Sequence, residues 1–284
     1  MRDNDVSISV GKFILYSLIN NVYKYSCGND LMPTLKELRA TASRKRKDFL
    51  YRLVDRLAYY PAIPLLWLGL TPNQVTVIWI LGQLVSAYFL TTGHYLTMVI
   101  ALVVFQLMFV LDCTDGIMAR YTKNFSINGE YLDYIGHYLA NPLLLGCLAV
   151  GVYRIHHNPI YLIAGGVAVV SFLLNKALTI NSFWYKNPVH RHGIENVYSS
   201  SLLQNQTGLL HFAFAFMRLE YLFNFMFWGI LFGYAHYTLL IYAVLFFIEL
   251  CRLLITQYIR NEKLNTRLTT QKKDRDAVSS SHNS

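Results

Sequence analysis

Charged residues are scarce in this chain. They make up 14% of its 284 residues, whereas hydrophobic residues make up 54%, and the mean hydropathy is positive. The apolar residues are also grouped in blocks of about 18 to 25, the length at which a helix crosses the core of a bilayer. This grouping predicts a polytopic membrane protein and argues against one large soluble domain.

The chain has only four cysteines, and their spacing argues against a zinc site and against a disulfide framework. The four cysteines include no C-x2-C pair, so the chain lacks the spacing of a zinc site or of a disulfide framework. We interpret them as small buried apolar residues. The chain also lacks an internal repeat, and its short apolar patch at Phe13–Ile19 has no small-residue cleavage site of a secretory signal peptide.

Six apolar blocks predict six transmembrane helices, at residues 73–92, 94–114, 130–153, 158–183, 208–233 and 236–258. The expected fold is an all-α polytopic membrane protein with six transmembrane helices, preceded by a cytoplasmic amphipathic interfacial helix. Three regions follow. Residues 1–70 form a cytoplasmic N-terminal and juxtamembrane amphipathic region, residues 71–260 a six-helix transmembrane catalytic domain, and residues 261–284 a cytoplasmic disordered tail.

The net charge of +9 is distributed as membrane topology would distribute it. Eleven lysines and arginines precede Thr71 and seven follow Leu250, whereas the loops on the opposite side hold only Arg154. This asymmetry is the positive-inside pattern, so it predicts that both termini and the stretch between spans two and three are cytoplasmic. The basic excess then serves topology and attraction to anionic lipid headgroups, and we expect no nucleic-acid partner.

The segment from Pro33 to Tyr60 has the pattern of an amphipathic helix that lies in the membrane interface. A basic run, Arg44–Lys47, leads into apolar residues at helical spacing. Its cations could also gather an anionic substrate. We expect Pro61 and Pro64 to break this helix.

Two pairs of residues predict how spans pack. Gly82 and Ser86 are four apart, which is a small-residue face for close helix contact. Glu249 and Arg252 are three apart near the end of the last span, and we expect them to form an ion pair.

The most informative stretch runs from Asp112 to His137, between two apolar blocks. Ionisable side chains at such a depth are costly and tend to be functional. Asp112 and Asp115 are three apart and Asp133 and His137 are four apart, so each pair shares a helix face. Two such helices facing each other would bring four ligands to one point, in an oxygen-rich site that suits Mg²⁺ or Mn²⁺.

This stretch resembles the signature of the CDP-alcohol phosphotransferase family, D-x2-D-G-x2-A-R, about eight residues, then G-x3-D-x3-D. The matching residues are Asp112, Asp115, Gly116, Ala119, Arg120, Gly129 and Asp133. The last position departs from the family, which has Asp where this chain has His137. The resemblance extends to Leu70–Thr76 before the first span, and it covers roughly residues 48 to 260.

The resemblance implies an enzyme of phospholipid or related lipid biosynthesis, in which a hydroxyl attacks the β-phosphorus of a CDP-alcohol and CMP leaves. Asp112, Asp115 and Asp133 would then hold a pair of Mg²⁺ or Mn²⁺ ions. His137 takes the place of the residue that the family associates with metal binding and with the role of base. It could be a general base, with an unperturbed pKa of about 6.5, or a ligand favouring Mn²⁺, or a change that impairs the site.

The resemblance also implies a nucleotide site. Its residues would be Asn73, Thr76, Asp112, Gly116, Ala119 and Arg120. Gly116 would let the flat cytidine approach the backbone, and Arg120 would bind the diphosphate or hold a motif Asp. Asn73 and Thr76 could instead simply cap the first span. Glu130 is off the family pattern, and we interpret it as an acid of a helix N-terminus.

The acceptor is less defined by the sequence. A basic set following span four favours a phosphorylated or otherwise anionic acceptor, and it consists of Lys176, His190, Arg191 and His192. Lys176 could instead snorkel to the interface. CDP-diacylglycerol is the default donor, although another CDP-alcohol fits equally. The family resemblance further implies a homodimer, and a likeness to divergent bacterial members implies a bacterial inner membrane.

Two other classes of function remain open at this stage. Charged residues at membrane depth also occur in transporters, but there they are scattered along several spans, whereas here they cluster at one end of two spans. A catalytically silent lipid-binding scaffold would keep the fold without the reaction. Release of CMP separates either class from an enzyme.

Overall fold

The structure is a computed structural model, and it describes residues 33–43, 49–184, 216–219 and 222–281. These residues form α-helices and no β-strand. The helices with described bounds are α1 (Leu35–Ala42), α2 (Phe49–Trp67), α3 (Pro72–Leu90), α4 (Tyr95–Thr122), α5 (Ile127–His156), α6 (Ile160–Trp184), α7 (Phe225–Leu231) and α8 (Ala235–Ser281).

Five helices are long and apolar enough to cross a membrane, which indicates a multi-pass membrane protein. They span Pro72–Leu90, Tyr95–Thr122, Ile127–His156, Ile160–Leu178 and Ala235–Ile259. These agree with the first four predicted spans and with the sixth. Of the predicted fifth span, residues 208–215 and 220–221 lie outside the described residues, and α7 is a helix of only seven residues.

Small residues let the spanning helices pack closely, as the sequence predicts for Gly82 and Ser86. A Cβ on Gly82 would lie 2.2 Å from the sulfur of Met108 on α4. Ser86 donates a hydrogen bond to the carbonyl of Ala101 on the same helix. Helix α3 therefore lies directly against α4 over much of its length.

The apolar core is divided along the bundle axis. One cluster joins α1 and α2 to the motif end of α4, with Leu38, Val54 and Ile117 among its buried members. A second and larger cluster, which includes Leu102, Leu144 and other residues of α3 to α8, lies away from that end. The motif thus sits at the boundary between a juxtamembrane core and the core of the spanning helices.

The segment before the first span forms two helices, and Pro61 and Pro64 do not break the second one. Helix α2 runs through both prolines, so the expected break was wrong. The carbonyls that lose a donor belong to Leu57 and Tyr60, whose side chains are exposed, so these carbonyls lie on the outer side of the helix. Its inner side is held by packing into the juxtamembrane core. The basic run 44–47 lies outside the described residues.

Helix α8 continues well beyond its membrane-spanning part. The cytoplasmic tail expected from residue 261 stays a prediction, and helix α8 continues through that range up to Ser281. The physical reason is that this segment contains neither proline nor glycine and is rich in good helix formers such as Arg, Lys, Gln and Leu. Within α8, Arg252 Nε donates to Glu249 Oε2 at 2.7 Å, as the sequence predicts.

Candidate active site

The site lies where the end of α4 meets the beginning of α5. The chain reverses between them through a short connection in which Lys123 adopts a left-handed backbone with φ of 52°. Ser126 is the N-cap of α5, since its side chain accepts a hydrogen bond from the backbone N–H of Gly129 at 2.9 Å. The last turns of α4 and the first turns of α5 are therefore neighbours.

Asp112, Asp133 and His137 form a cluster of three metal-competent side chains. His137 Nε2 lies 3.6 Å from Asp112 Oδ1 and 3.6 Å from Asp133 Oδ1, and the three ligand atoms lie within 4.8 Å of one another. Ligands of an octahedral ion with bonds of about 2.1 Å are separated by about 3 to 4 Å. The arrangement therefore fits a divalent cation with only small movements of the side chains.

The three side chains differ in exposure, which orders them from the interior outward. Asp112 is 12% exposed, His137 22% and Asp133 48%. Glu130, which the sequence analysis set aside, is exposed in the first turn of α5 and is not a member of the cluster. Access from outside the helix bundle is therefore through the side of Asp133.

Asp115 lies behind this cluster rather than in it. It is buried, and its Oδ2 accepts hydrogen bonds from Thr76 Oγ1 at 2.6 Å and from Trp79 Nε1 at 3.0 Å. Asp115 is still close enough to Asp133 for their charges to interact. Of the four ligands expected from the sequence, three converge in the structure, and the fourth is held by side chains of α3.

Asn73 and Thr76 hold the motif helices together in this structure. Asn73 Nδ2 donates to Ser126 Oγ at 3.1 Å, which ties α3 to the N-cap of α5. Capping of α3 itself is performed by Thr71 and Gln74, which form a capping box. Asn73 and Thr76 are therefore not the cap of the first span, and Thr76 is buried against Asp115.

The flat group that covers Gly116 is the guanidinium of Arg120. A Cβ at Gly116 would lie 3.3 Å from one terminal nitrogen of Arg120, whereas the family resemblance implies cytidine at this surface. Arg120 Nε also donates to the carbonyl of Ala42 at 2.9 Å. The motif arginine thus fastens the end of α1 to α4.

Two arginines, Arg39 and Arg120, lie near Tyr59 of α2. Arg39 lies over the ring of Tyr59, 5.9 Å from its centroid. Burial raises the pKa of the Tyr59 hydroxyl, and the positive charge of Arg120 opposes that rise. Arg39 of α1 and Arg120 of α4 therefore lie near Tyr59 on one side of the motif, where an anionic group could be attracted.

Lys176 lies on α6 with its ammonium 5.6 Å from the centroid of the Phe172 ring. The level of Lys176 along the bundle axis follows from the pairing of α5 and α6, because Val169 on α6 faces Gly146 on α5. The two helices are antiparallel, so two further turns along α6 place the backbone of Lys176 at the level of Leu139, while its ammonium lies beside Phe172. The other expected acceptor residues, His190, Arg191 and His192, lie outside the described residues.

Sequence reasoning missed Trp79, Gly136 and Ser126. Trp79 is fully buried, and a Cβ at Gly136 would lie 2.4 Å from its ring. Neither residue belongs to the family signature, and a tryptophan inside an apolar block has the appearance of ordinary core. The sequence pattern T-x-x-Q at Thr71–Gln74 indicates a capping box. Since this box caps α3, the pattern argues against Asn73 as the cap.

Comparison with known protein families finds one whose model matches more than half of the chain. The model of the CDP-alcohol phosphatidyltransferase family matches residues 69–248. This range includes the whole stretch from Asp112 to His137 and the helices α3 to α7. A search of the curated proteins finds none that matches this chain.

Proposed function

This chain belongs to the CDP-alcohol phosphatidyltransferase family, and from that premise we propose that it transfers a phosphatidyl group from CDP-diacylglycerol to an acceptor hydroxyl, with release of CMP. The family is one of phosphotransferases of phospholipid biosynthesis, which use a CDP-alcohol and an alcohol acceptor. The identity of the donor lipid, the nature of the acceptor and the roles of individual residues belong to the proposal.

The observation that carries the proposal is the convergence of Asp112, Asp133 and His137 from two helices. The three side chains offer two carboxylates and one imidazole at distances that fit a divalent ion. Such ions, when bound, would neutralise the diphosphate and stabilise the departing CMP oxygen. Mg²⁺ and Mn²⁺ both suit this donor set, and the imidazole favours Mn²⁺. A second ion would need Asp115 as a further ligand.

The reaction exchanges one phosphorus–oxygen bond for another. The oxygen of the acceptor hydroxyl forms a bond to the β-phosphorus, and the bond from that phosphorus to the CMP oxygen breaks. The hydroxyl proton passes to a base of the protein, and CMP leaves with the electron pair of the broken bond. The chain must therefore supply a base close to the cluster and hold the acceptor beside it.

His137 and Asp133 have different roles in our proposal: one binds the cation and the other accepts the proton. His137 Nε2 faces a carboxylate on each side at 3.6 Å, which is the position of a ligand atom. Asp133 is the most exposed member of the cluster, so it is the carboxylate that an incoming hydroxyl reaches first. We assign Asp133 as proton acceptor and His137 as ligand.

Lys176 is our candidate for binding an anionic acceptor. Its backbone lies at the level of Leu139 of α5, and its ammonium would have to turn from the Phe172 ring toward the cytoplasmic end to meet an acceptor at the cluster. His190, Arg191 and His192 would complete this subsite. The nucleotide would lie along Gly116, Ala119 and Arg120, and it would have to displace the guanidinium that now covers Gly116.

The same proposal includes a cytoplasmic active site in a bacterial inner membrane, with both termini cytoplasmic, and a homodimer. The orientation is supported by the excess of lysine and arginine before Thr71 and after Leu250. On that side the first two helices and the long extension of α8 would lie outside the membrane.

The test is CMP release by the purified protein in detergent, with CDP-diacylglycerol, a panel of phosphorylated and neutral acceptors, and Mg²⁺ or Mn²⁺. We expect metal-dependent CMP formation that Asp112→Asn abolishes. Glu130→Gln is the matched control, because it removes an exposed carboxylate in the first turn of α5 that is not a member of the cluster. Absence of CMP with every donor and acceptor would contradict the proposal and favour a silent lipid-binding scaffold.

A further inference from the structure

Trp79 contacts both halves of the motif. It lies on α3, which carries no residue of the signature, and its side chain is fully buried. One end of the indole reaches Asp115 on α4, and its ring lies against His137 on α5. It is therefore placed to fix the position of one half of the motif relative to the other.

The contact with Asp115 fixes the direction of a buried carboxylate. Trp79 Nε1 donates to Oδ2 at 3.0 Å, and Thr76 donates to the same oxygen at 2.6 Å. Hydrogen bonds to a charged acceptor are stronger than those between neutral groups. Two donors of α3 thus engage Oδ2, and the backbone N–H of Gly116 also donates to this carboxylate, so the direction of the side chain is fixed.

The contact with His137 fixes the position of an imidazole. The ring centroids of Trp79 and His137 are 5.2 Å apart, with an angle of 34° between the planes. The preceding residue, Gly136, brings the backbone of α5 so close that a Cβ there would lie 2.4 Å from Cη2 of the indole. The helix that carries His137 is therefore seated directly on Trp79.

The two contacts also bear on which residue type suits position 137. An indole has an electron-rich face, which attracts the edge of another aromatic ring or a cation and disfavours an anion. The imidazole packs against this surface as an aromatic ring, with 34° between the two planes. A carboxylate at position 137 would lie near the same surface without that benefit.

We propose that Trp79 is a positioning residue for the cation site: its ring holds His137, a member of the cluster, and its N–H holds Asp115, the further ligand that a second ion would need. The proposal rests on the proposed function in that the cation site serves the transfer reaction. Trp79 itself touches neither substrate nor reacting atoms. In this chain the cation affinity that a histidine gives at position 137 would therefore depend on the residue at position 79.

Binding of Mn²⁺ tests the proposal without requiring turnover. Isothermal titration of the detergent-purified protein would compare the unaltered chain with Trp79→Phe, which keeps a ring but loses the N–H, and with Trp79→Leu, which loses both. Partners behind a metal ligand commonly contribute 10- to 100-fold to metal affinity or activity, so we expect roughly a tenfold weaker Mn²⁺ affinity for Trp79→Phe. The loss should be larger for Trp79→Leu.

A matched control separates positioning from general packing. Phe105→Leu also replaces a buried aromatic residue of the bundle, in the larger apolar cluster away from the motif. It should lower the unfolding temperature as Trp79→Leu does and leave the Mn²⁺ affinity unchanged. An unchanged Mn²⁺ affinity in Trp79→Phe, or an equal loss in Phe105→Leu, would overturn the proposal.

Parallel assays of CMP release keep this proposal distinct from the proposed function. If the unaltered protein binds Mn²⁺ but forms no CMP, a loss of Mn²⁺ affinity in Trp79→Phe still supports the positioning role, and only the reaction is refuted. If CMP is formed and Trp79→Phe neither binds Mn²⁺ more weakly nor turns over more slowly, the positioning role fails while the reaction stands. Absence of Mn²⁺ binding by the unaltered protein would refute the cation site and the positioning role together.

Discussion

His137 Nε2 lies 3.6 Å from Asp112 Oδ1, although the two residues belong to different helices. The contact places an imidazole opposite a carboxylate that is mostly buried, at a separation too long for a hydrogen bond and suited to a shared ion. The residue at 137 therefore faces the site directly, and its chemistry should affect which ion is preferred.

The first prediction concerns that preference. His137→Asp replaces nitrogen by oxygen at the cluster, so the ratio of Mg²⁺-supported to Mn²⁺-supported CMP formation should rise, on the order of tenfold. Initial rates at saturating concentrations of each ion measure the ratio. His94→Asp, the same change at the opposite end of α4, should leave it unaltered. An unchanged ratio in His137→Asp would argue that His137 does not bind the ion.

The second prediction concerns the support of Asp115. Thr76→Val removes the shorter of the two hydrogen bonds that side chains of α3 donate to Asp115, and a buried carboxylate that loses a donor costs about 1–3 kcal/mol of unfolding free energy. Thr76→Ser retains the hydroxyl and should behave nearly as the unaltered protein. Thermal unfolding in detergent, followed by intrinsic fluorescence, compares the two. Equal stability of the Val and Ser variants would show that this hydrogen bond contributes nothing.

The third prediction uses two glycines as a pair. Gly136→Ala would force a methyl group against the Trp79 ring and Ile80, and overpacking of this kind costs about 1–3 kcal/mol. At Gly166 on α6 a Cβ meets nothing within 4 Å, so Gly166→Ala should stabilise by about 0.5–1 kcal/mol through helix propensity alone. Unfolding temperatures should therefore move in opposite directions. A shift of the same sign in both variants would contradict the close seating of α5 on α3.

The fourth prediction concerns Arg120 as a fastening of α1. Arg120→Lys keeps the charge and loses the Nε donor to Ala42, so amide hydrogen exchange in residues 35–42 should accelerate, by roughly tenfold for about 1.4 kcal/mol. Arg154→Lys makes the same change in the last turn of α5, far from α1, and should leave hydrogen exchange in residues 35–42 unchanged. Unaltered exchange in Arg120→Lys would mean that α1 is held by its apolar contacts alone.

The membrane architecture was largely predictable, because length and apolarity are local properties of a sequence. Five of the six predicted spans coincide with helices that could cross a membrane, and the continuation of α4 past residue 114 follows from its unbroken pattern. The prolines at 61 and 64 misled the prediction, since whether a helix tolerates proline depends on which side the freed carbonyls face. That side is decided by tertiary packing.

The site was predictable only as far as its ligands share helix faces. The spacing of Asp133 and His137 predicted their common face, and Asp112 meets them from the facing helix as expected. Asp115 also shared a face with Asp112 in the sequence, yet its carboxylate is engaged by Thr76 and Trp79. No local pattern identifies the donors that a buried carboxylate will find on another helix, so this part of the site could not be read in advance.

The tie between Asn73 and Ser126 has a consequence for how this site can change in evolution. Ser126 and Asp133 are separated by about two helical turns, so the anchored residue and the ligand lie on one face of α5. A single residue inserted between them would rotate Asp133 and His137 by about 100° while the anchor stayed in place. A relative that kept every ligand but carried such an insertion would be expected to have lost the site, whereas extra residues before Ser126 would only enlarge a loop.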